Sequence, residues 1–563
     1  MENQITPNPQ VPTQIIAKLK FPKVINNLGI IPTSYKDSMN YYECLAWLCK
    51  YLEETVIPTV NQTGSAVQEL QGLYIELKDY VTHYFDNLDV QQEINQKLDD
   101  MAEQGTLQEV ISSYLNTKAI ICFDTVSDLS QAENLINGSF AKTLGFYSIN
   151  DLGGAIYKIR NLTIDDTIDN MTLIELENLP TLVAELIKTD TMNVCQFGVE
   201  NNVESTLNFQ TALNFMEGNK IIIPDITLIL NNTITLPDTI DIECFGKIQY
   251  SADITYLFQN LSSDCNIKLT GLDIEKMDNS FENLNRFIYI AYGSLIVENS
   301  KFKNCGTAVH CEGKKLIANN ITINNAYGTV PQYGYGLNTS AIENVIENVF
   351  VKNDSSLQGR HVIYLNGTQM YKTTISNVNV ENWYHNPFAI HVHGSSAPDI
   401  IIENCKFINC LKAPTGSEIA GIIYVHAEDN TRLFVNNCVA RNIIFRFLTS
   451  MSSNTKVRIS NCYLRHDLSD TSVNTDNCSI YLRYSNHHEI YNLYIDNTND
   501  TNFKWGIFVR NISQCFIDNI IMRGNNANYL VYSQDAHVYL GKYYTTIDNV
   551  TYGNVSPYPT FIS

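Results

Sequence analysis

The sequence predicts a mainly β chain: a long parallel β-solenoid preceded by an α-helical coiled-coil region. Three observations predict it. A short apolar motif bracketed by asparagines recurs ten times, a second alternating strand can be aligned between its copies, and the composition is poor in charge. Of 563 residues only 17% are charged, against 44% hydrophobic. Soluble domains usually carry ~25% charge, so solubility rests on uncharged side chains, among them 33 Tyr. Lys and Arg number 37 and Asp and Glu 59, a formal charge of −22. A duplex-binding protein needs a basic excess to displace counterions from phosphates, so no nucleic-acid partner is expected. No apolar run approaches the ~20 residues of a membrane-spanning helix. The start, Met1 to Pro7, has neither a basic nor an apolar segment, so no signal peptide is expected.

Residues 1–30, with Pro7, Pro9, Pro12 and Pro22, read as an extended attachment arm. Residues 31–117 read as helical. Tyr42, Leu45, Leu48 and Tyr51 fall at helical spacing, and Val67, Leu70, Tyr74, Leu77, Val81, Tyr84 and Leu88 alternate by three and four. That is the seam of a coiled coil, which a lone helix cannot bury. Capping boxes at Asp89–Gln92 and Thr106–Glu109, with Gly105 between them, predict two short helices next. Residues 118–190 read as a small β module, in which Phe140 to Ile159 forms two strands around an Asn-Asp-Leu-Gly-Gly turn.

Residues 191–563 hold the repeat. With h an apolar residue, Asn-h-x-h-x-Asn or its close variant begins at Asn299, Asn320, Asn348, Asn377, Asn404, Asn437, Asn461, Asn492, Asn519 and Asn549. A spacing of 21 to 33 residues is the elastic period of a solenoid. Alternation points Phe302, Ile323, Val351, Val380, Phe407, Leu464 and Ile495 inward, stacked from copy to copy. The asparagines sit where the chain must turn, because Asn tolerates the left-handed region and its amide can bridge to the next coil. Of the fourteen cysteines none forms a C-x-x-C pair, and Cys405, Cys438 and Cys462 share one inward position. Buried free thiols are expected, and no metal site.

The second strand aligns as Val309–Glu312, Ile363–Asn366, Ile390–His393, Ile423–His426, Ile480–Arg483 and Ile507–Arg510. Two columns then face outward. One holds His310, Tyr364, His391, Tyr424, Tyr481 and Phe508; the other holds Glu312, Asn366, His393, His426, Arg483 and Arg510. Aromatic rings cover sugar faces, while His, Asn and Arg hydrogen-bond hydroxyls and anions. Glu312, His391, His393 and His426 are the candidate catalytic residues. His310, Tyr364, Asn366, Arg360, Tyr424, Tyr481, Arg483, Phe508 and Arg510 are the candidate substrate-binding residues. Loops of varying length add Asp354, His361, His385, Glu418, Glu428, Asp429, Asp467 and Asp476. A carboxylate pair for glycosidic cleavage or a carboxylate–His pair for phosphodiester cleavage could be drawn from them. Arg441, Arg465, Arg483, Arg510 and Arg523 give the later rungs a basic character that the net charge hides.

Three stretches carry a resemblance: Ile31 to Tyr42 with Tyr84 to Leu107, Lys142 to Tyr157, and Val194 to Leu228. They are similar to the N-terminal module, the linker and the opening coil of tail appendages (tailspikes) from phages of Gram-positive bacteria. The resemblance implies a right-handed, pectin-lyase-like β-helix in a homotrimer, held to other tail proteins by its N-terminus. It implies a virion component, assembled in the host cytoplasm, that binds and often degrades cell-wall glycan, teichoic acid or capsular polysaccharide. The alternative is a spike that grips the polymer without cleaving it. The Asn-Thr-Asp, Asp-Asp and Gly-His-Gly set of polygalacturonases is missing, so no catalytic residue follows from the resemblance.

Overall fold

The computed structural model describes residues 120–545 and 560–561, except 251–253, 278–285, 329–333, 355–358, 384, 394–396, 411–420, 428–429, 444–445, 467–477, 486, 498–504 and 525–528. The arm and helices expected over 1–117, and the repeat copy at Asn549, lie outside the described residues. Contacts divide the chain into two units, one ending at Lys188 with Cys195–Gly198 added, the other comprising Thr189–Val194 and the chain from Val199.

In the first unit, Ile120–Phe123 runs parallel to Phe140–Thr143, which pairs antiparallel with Ile156–Asn161. Leu182–Leu186 and Leu173–Glu175 complete a five-stranded sheet. The expected hairpin is present, and Asp151 organises its turn. Its carboxylate accepts from the backbone amides of Phe146, Tyr147, Ser148 and Gly153. Although partial burial pushes its pKa up, these four bonds hold it below the ordinary value.

The second unit is a parallel β-solenoid of about 11 turns. The helix Thr206–Phe215 turns Phe209, Ala212 and Leu213 into the core, with Phe209 against the Phe258 ring at 6.3 Å between centroids. Each typical rung has three strands, one more than the sequence repeat discloses. A leading strand such as 315–319 ends on the first asparagine; a middle strand such as 321–324 follows it; a trailing strand such as Tyr335–Thr339 completes the rung.

The corner between leading and middle strands is a single asparagine. Asn299, Asn320, Asn348, Asn377, Asn404, Asn437, Asn461, Asn492 and Asn519 all have φ between 52° and 56°. Left-handed backbone there turns the strand within one residue, and Asn tolerates it better than other residues with a Cβ. The amides form a ladder: Asn320 donates to Asn299 at 2.7 Å, Asn437 to Asn404 at 2.6 Å and Asn519 to Asn492 at 2.6 Å. A second ladder runs through the far corner, where Asn409 donates to Asn382 at 3.0 Å and Asn442 to Asn409 at 2.8 Å.

Inside, Ile274, Phe302, Ile323, Val351, Val380, Phe407, Ala440, Leu464 and Ile495 follow one another in register. All are buried, each large side chain contributing roughly 1.5–3 kcal/mol. Cys405, Cys438 and Cys462 form the expected buried stack, and every described cysteine is a free thiol. Polar groups also line the interior: Asn344 donates to Ala341 O and Thr373 Oγ1, and Val457 N donates to His488 Nδ1.

Candidate functional site

The trailing strands set the candidate residues; His310, Tyr364, Tyr424, Tyr481 and Phe508 share one column as the sequence alignment has them, and only Phe388–Val392 is displaced from that alignment, by one pleat. Tyr364 pairs with Ala389, and Asn366 with His391. Ala389 then pairs with Tyr424, and His391 with His426. His391 therefore leaves the column of Tyr364 and Tyr424 and joins that of Asn366 and His426. The physical cause is the variable loop before each trailing strand, which sets where the strand begins but leaves the inward–outward alternation intact.

Two clusters result. In the first, His310 Nε2 lies 2.9 Å from Glu312 Oε1, and the Tyr289 hydroxyl donates to Glu312 Oε2 at 3.3 Å. The His310 hydrogen bond holds the Glu312 carboxyl below its ordinary pKa, so it is ionised at neutral pH. Burial, opposed by Glu312 and aided by the Arg286 charge, pushes His310 down. Neutral His310 donates from Nε2, and its buried Nδ1 has no hydrogen-bond partner among the described residues. Arg286 is buried across the rings of Tyr256 and Tyr289, 5.4 and 5.7 Å from their centroids. Burial, with the Glu312 charge, raises Tyr289 to about 12.

This cluster edges a recess of about 520 Å³ that also meets Asn338, Arg360, Tyr364 and Asn366. Such a volume suits a ligand site, which typically spans ~300–1,000 Å³. Tyr335 and Tyr364, two of its lining rings, stack with each other and with His361, centroids 5.1–5.6 Å apart. Among the described residues Glu312 is the recess's only carboxylate, beside two guanidiniums. Among the described residues, then, the carboxylate pair for glycosidic cleavage does not assemble there, whereas a carboxylate–His pair does.

In the second cluster the rings of His391, His393 and His426 have centroids 5.9–6.5 Å apart. Tyr364 Oη meets His391 Nδ1 at 3.4 Å, and the Tyr424 ring lies 5.6 Å from His391. Burial, reinforced by the neighbouring imidazoles, lowers His391 to about 4. Among the described residues no group of three or more His, Cys, Asp or Glu side chains is placed to hold a metal ion.

Further along the stack the structure revises three expectations. Tyr481 and Phe508 are only 1% and 3% exposed. They pack with Cys478, Met451, Trp505 and Tyr532, and the Arg446 guanidinium lies 4.3 Å from the Tyr481 centroid. Their rings present no free face to a ligand. His310, also read as outward, is 7% exposed and hydrogen-bonds Glu312. The arginines do not form one cluster either. Arg441, Arg465 and Arg523 share a middle-face column with Asp496, whereas Arg483 pairs with Arg510 on the trailing face.

Asp354 is tied to the far-corner ladder by Asn325. Glu418, Glu428, Asp429, Asp467 and Asp476 lie outside the described residues. Sequence reasoning missed Arg286 and Tyr289. Arg286–Ile290 alternates like the strands after it, and extending the alignment one rung N-terminally reaches both.

No protein-family model matches the chain, and no curated protein matches its sequence. Solved structures similar to it include an Acinetobacter phage tailspike, at 11% identity over 79% of this chain and 77% of that one, with a TM-score of 0.43. A Pantoea stewartii glycan biofilm modifying enzyme with a tailspike-like parallel β-helix is 14% identical over 64% of this chain and 50% of its own, TM-score 0.39. The enzymatically active domain of tailspike protein 4 from bacteriophage CBA120 is 14% identical over 71% and 53%, TM-score 0.36.

Proposed function

We propose that this protein is a phage tail appendage of the tailspike kind, which binds a bacterial surface polymer along its trailing face and cleaves it beside Glu312. The polymer is a teichoic acid or capsular polysaccharide of a Gram-positive host. The observation that carries this proposal is the recess that pairs an ionised, half-exposed carboxylate with buried polar support and two guanidiniums. In this reading Glu312 accepts the proton of an attacking hydroxyl or water, and Arg286 and Arg360 offset anionic charge on the unit being cleaved. His310, almost wholly buried at the edge of the recess, spends its Nε2 on Glu312 and is read as a positioning residue.

The proposal includes a right-handed coil, the hand that parallel crossovers adopt, and a homotrimer joined to other tail proteins by its N-terminal region. On the outer side of the leading strands, Ile296, Ile317, Val345, Ile401 and Phe434 form a half-exposed apolar column, interrupted by Thr374. Glu298, Glu347 and Glu403 border it. The middle face carries Lys301, Lys352, Lys406, Arg441, Arg465 and Arg523, with Asp273, Glu275, Glu381 and Asp496 among them. The leading face of one copy would dock on the middle face of the next, a heterologous contact that closes into a ring.

The test incubates the full chain with purified host wall polymer and measures released phosphate monoesters and reducing ends. Release by the wild type, lost in Glu312→Gln with binding retained, is expected. Binding without release at any pH from about 5 to 8 would leave a spike that only grips.

A further inference from the structure

We propose that Glu312 stands between two subsites, so that a bound polymer crosses it with an anionic unit on one side and a neutral sugar on the other. This rests on the polymer-binding proposal above and goes beyond it by assigning a second site and a substrate class. A second recess of about 540 Å³ lies beside the first, and the two share Glu312, Ser340 and Asn366 as a common wall. One carboxylate thus faces both spaces, where a bond joining two units would lie.

The two sides differ in chemistry. The first holds Arg286 and Arg360 against Glu312 alone, which leaves one positive charge while His310 is neutral. An anionic unit, whether phosphodiester or uronate, is the complementary ligand. In the second recess the Lys314 ammonium is already 2.8 Å from Asp264, and apart from the shared Glu312 the other polar groups, among them Ser263, Thr368 and Gln369, are neutral donors and acceptors. Its edge carries Tyr292, 54% exposed, the ring available for a sugar face. Gly293 and Gly313 line that side with backbone, because the adjoining rung approaches too closely for a side chain: at Gly293, φ is +80°, and a Cβ would stand 2.2 Å from the Cys265 carbonyl oxygen; at Gly313 it would stand 2.3 Å from that of Gly293.

The test measures binding of the full chain to four defined polymers by equilibrium dialysis. They are hexose-substituted poly(glycerol phosphate), the unsubstituted polymer, a polysaccharide alternating uronate with neutral hexose, and neutral dextran. One of the two polymers carrying both chemistries should bind tightest, and which one identifies the anion as phosphate or carboxylate. Tyr292→Ala should weaken that polymer about tenfold and leave unsubstituted poly(glycerol phosphate) unchanged. Arg360→Gln should weaken every charged polymer and flatten the salt dependence. Arg360 is used because Arg286 is buried across the Tyr256 and Tyr289 rings, and its replacement would disturb that packing. Dextran binding as tightly as the charged polymers, or an unchanged Tyr292→Ala variant, overturns the two-subsite assignment while polymer binding stands. Binding to none of the four, nor to host wall polymer, overturns both.

Discussion

Acidification from pH 7 to pH 5 should destabilise the solenoid by several kcal/mol, and buried histidines are the reason. His361, His466 and His488 are buried, and desolvation pushes each down to about 3. An unfolded histidine titrates near 6.5. Between these values the unfolded chain binds more protons than the native one, so stability falls as pH falls below about 6.5 and levels off near 3. At pH 5 the difference is about 1.5 pH units per ring, or roughly 2 kcal/mol each and 6 kcal/mol for three. His488 has a specific further reason to stay neutral: its Nδ1 accepts from Val457 N at 3.2 Å, and protonation there removes the acceptor. The ionised carboxylates act in another window. Asp151, Asp169, Glu275 and Glu312 are all held below their ordinary values, so their contribution is lost only at lower pH. Denaturant unfolding followed by tryptophan and tyrosine fluorescence at pH 7, 6 and 5 measures the drop. His488→Asn retains an acceptor for Val457 and cannot titrate, so its drop should be smaller by about 2 kcal/mol. Equal midpoints at pH 7 and 5, or a variant that loses as much as the wild type, would refute the reasoning.

The other predictions concern the corner, the base and the contact between copies. Asn492, at φ 52°, donates to Asn461 at 2.9 Å and accepts from Asn519 at 2.6 Å. Asn492→Ala should cost about 2–3 kcal/mol, from the left-handed backbone and the lost ladder bonds, and Asn492→Gly less; thermal unfolding that ranks them otherwise contradicts the corner assignment. Since the His310 bond is the main force holding Glu312 ionised, His310→Gln should raise the Glu312 pKa and move the acid limb of polymer release to higher pH. A pH–rate profile that falls in height without moving would show that His310 does not act through Glu312. Val345→Lys, on the apolar column, should lower the fraction of assembled chains in sedimentation, whereas Tyr371→Lys, at a 69% exposed position, should not. Equal assembly of the two variants counts against the leading face as the contact.

The corners were legible in the sequence because their cause is local. One residue takes the left-handed turn, the alternation on either side is strict, and both recur wherever the rung recurs. The leading strand was hidden because its outer side is apolar as well. Ser294–Cys305 reads Leu295, Ile296 and Val297 in succession, and nothing in a period of two separates core from surface there. Burial of Tyr481 and Phe508 was equally out of reach. Alternation gives the direction of a side chain, while Arg446, Met451 and Tyr532 close over these two from neighbouring rungs, with Trp505 from the strand of Phe508 itself.

The register error has the most instructive cause. A slip of one residue along a strand turns every side chain to the opposite face and is visible at once in the pattern. A slip of two leaves each residue on its own face: Ile390 and Val392 remain inward whether Ile390 is opposite Ile363 or, as in the fold, opposite Leu365. The apolar pattern therefore cannot choose between them, and only the loop geometry does. The consequence falls on the site. His391, moved one pleat, gathers with His393 and His426 and touches the Tyr364 hydroxyl. Glu312 keeps a single histidine, His310, from its own strand. In a solenoid, assigning chemistry along a face thus requires the register to within one pleat, and that information resides in the loops, the part of each rung with the least periodicity.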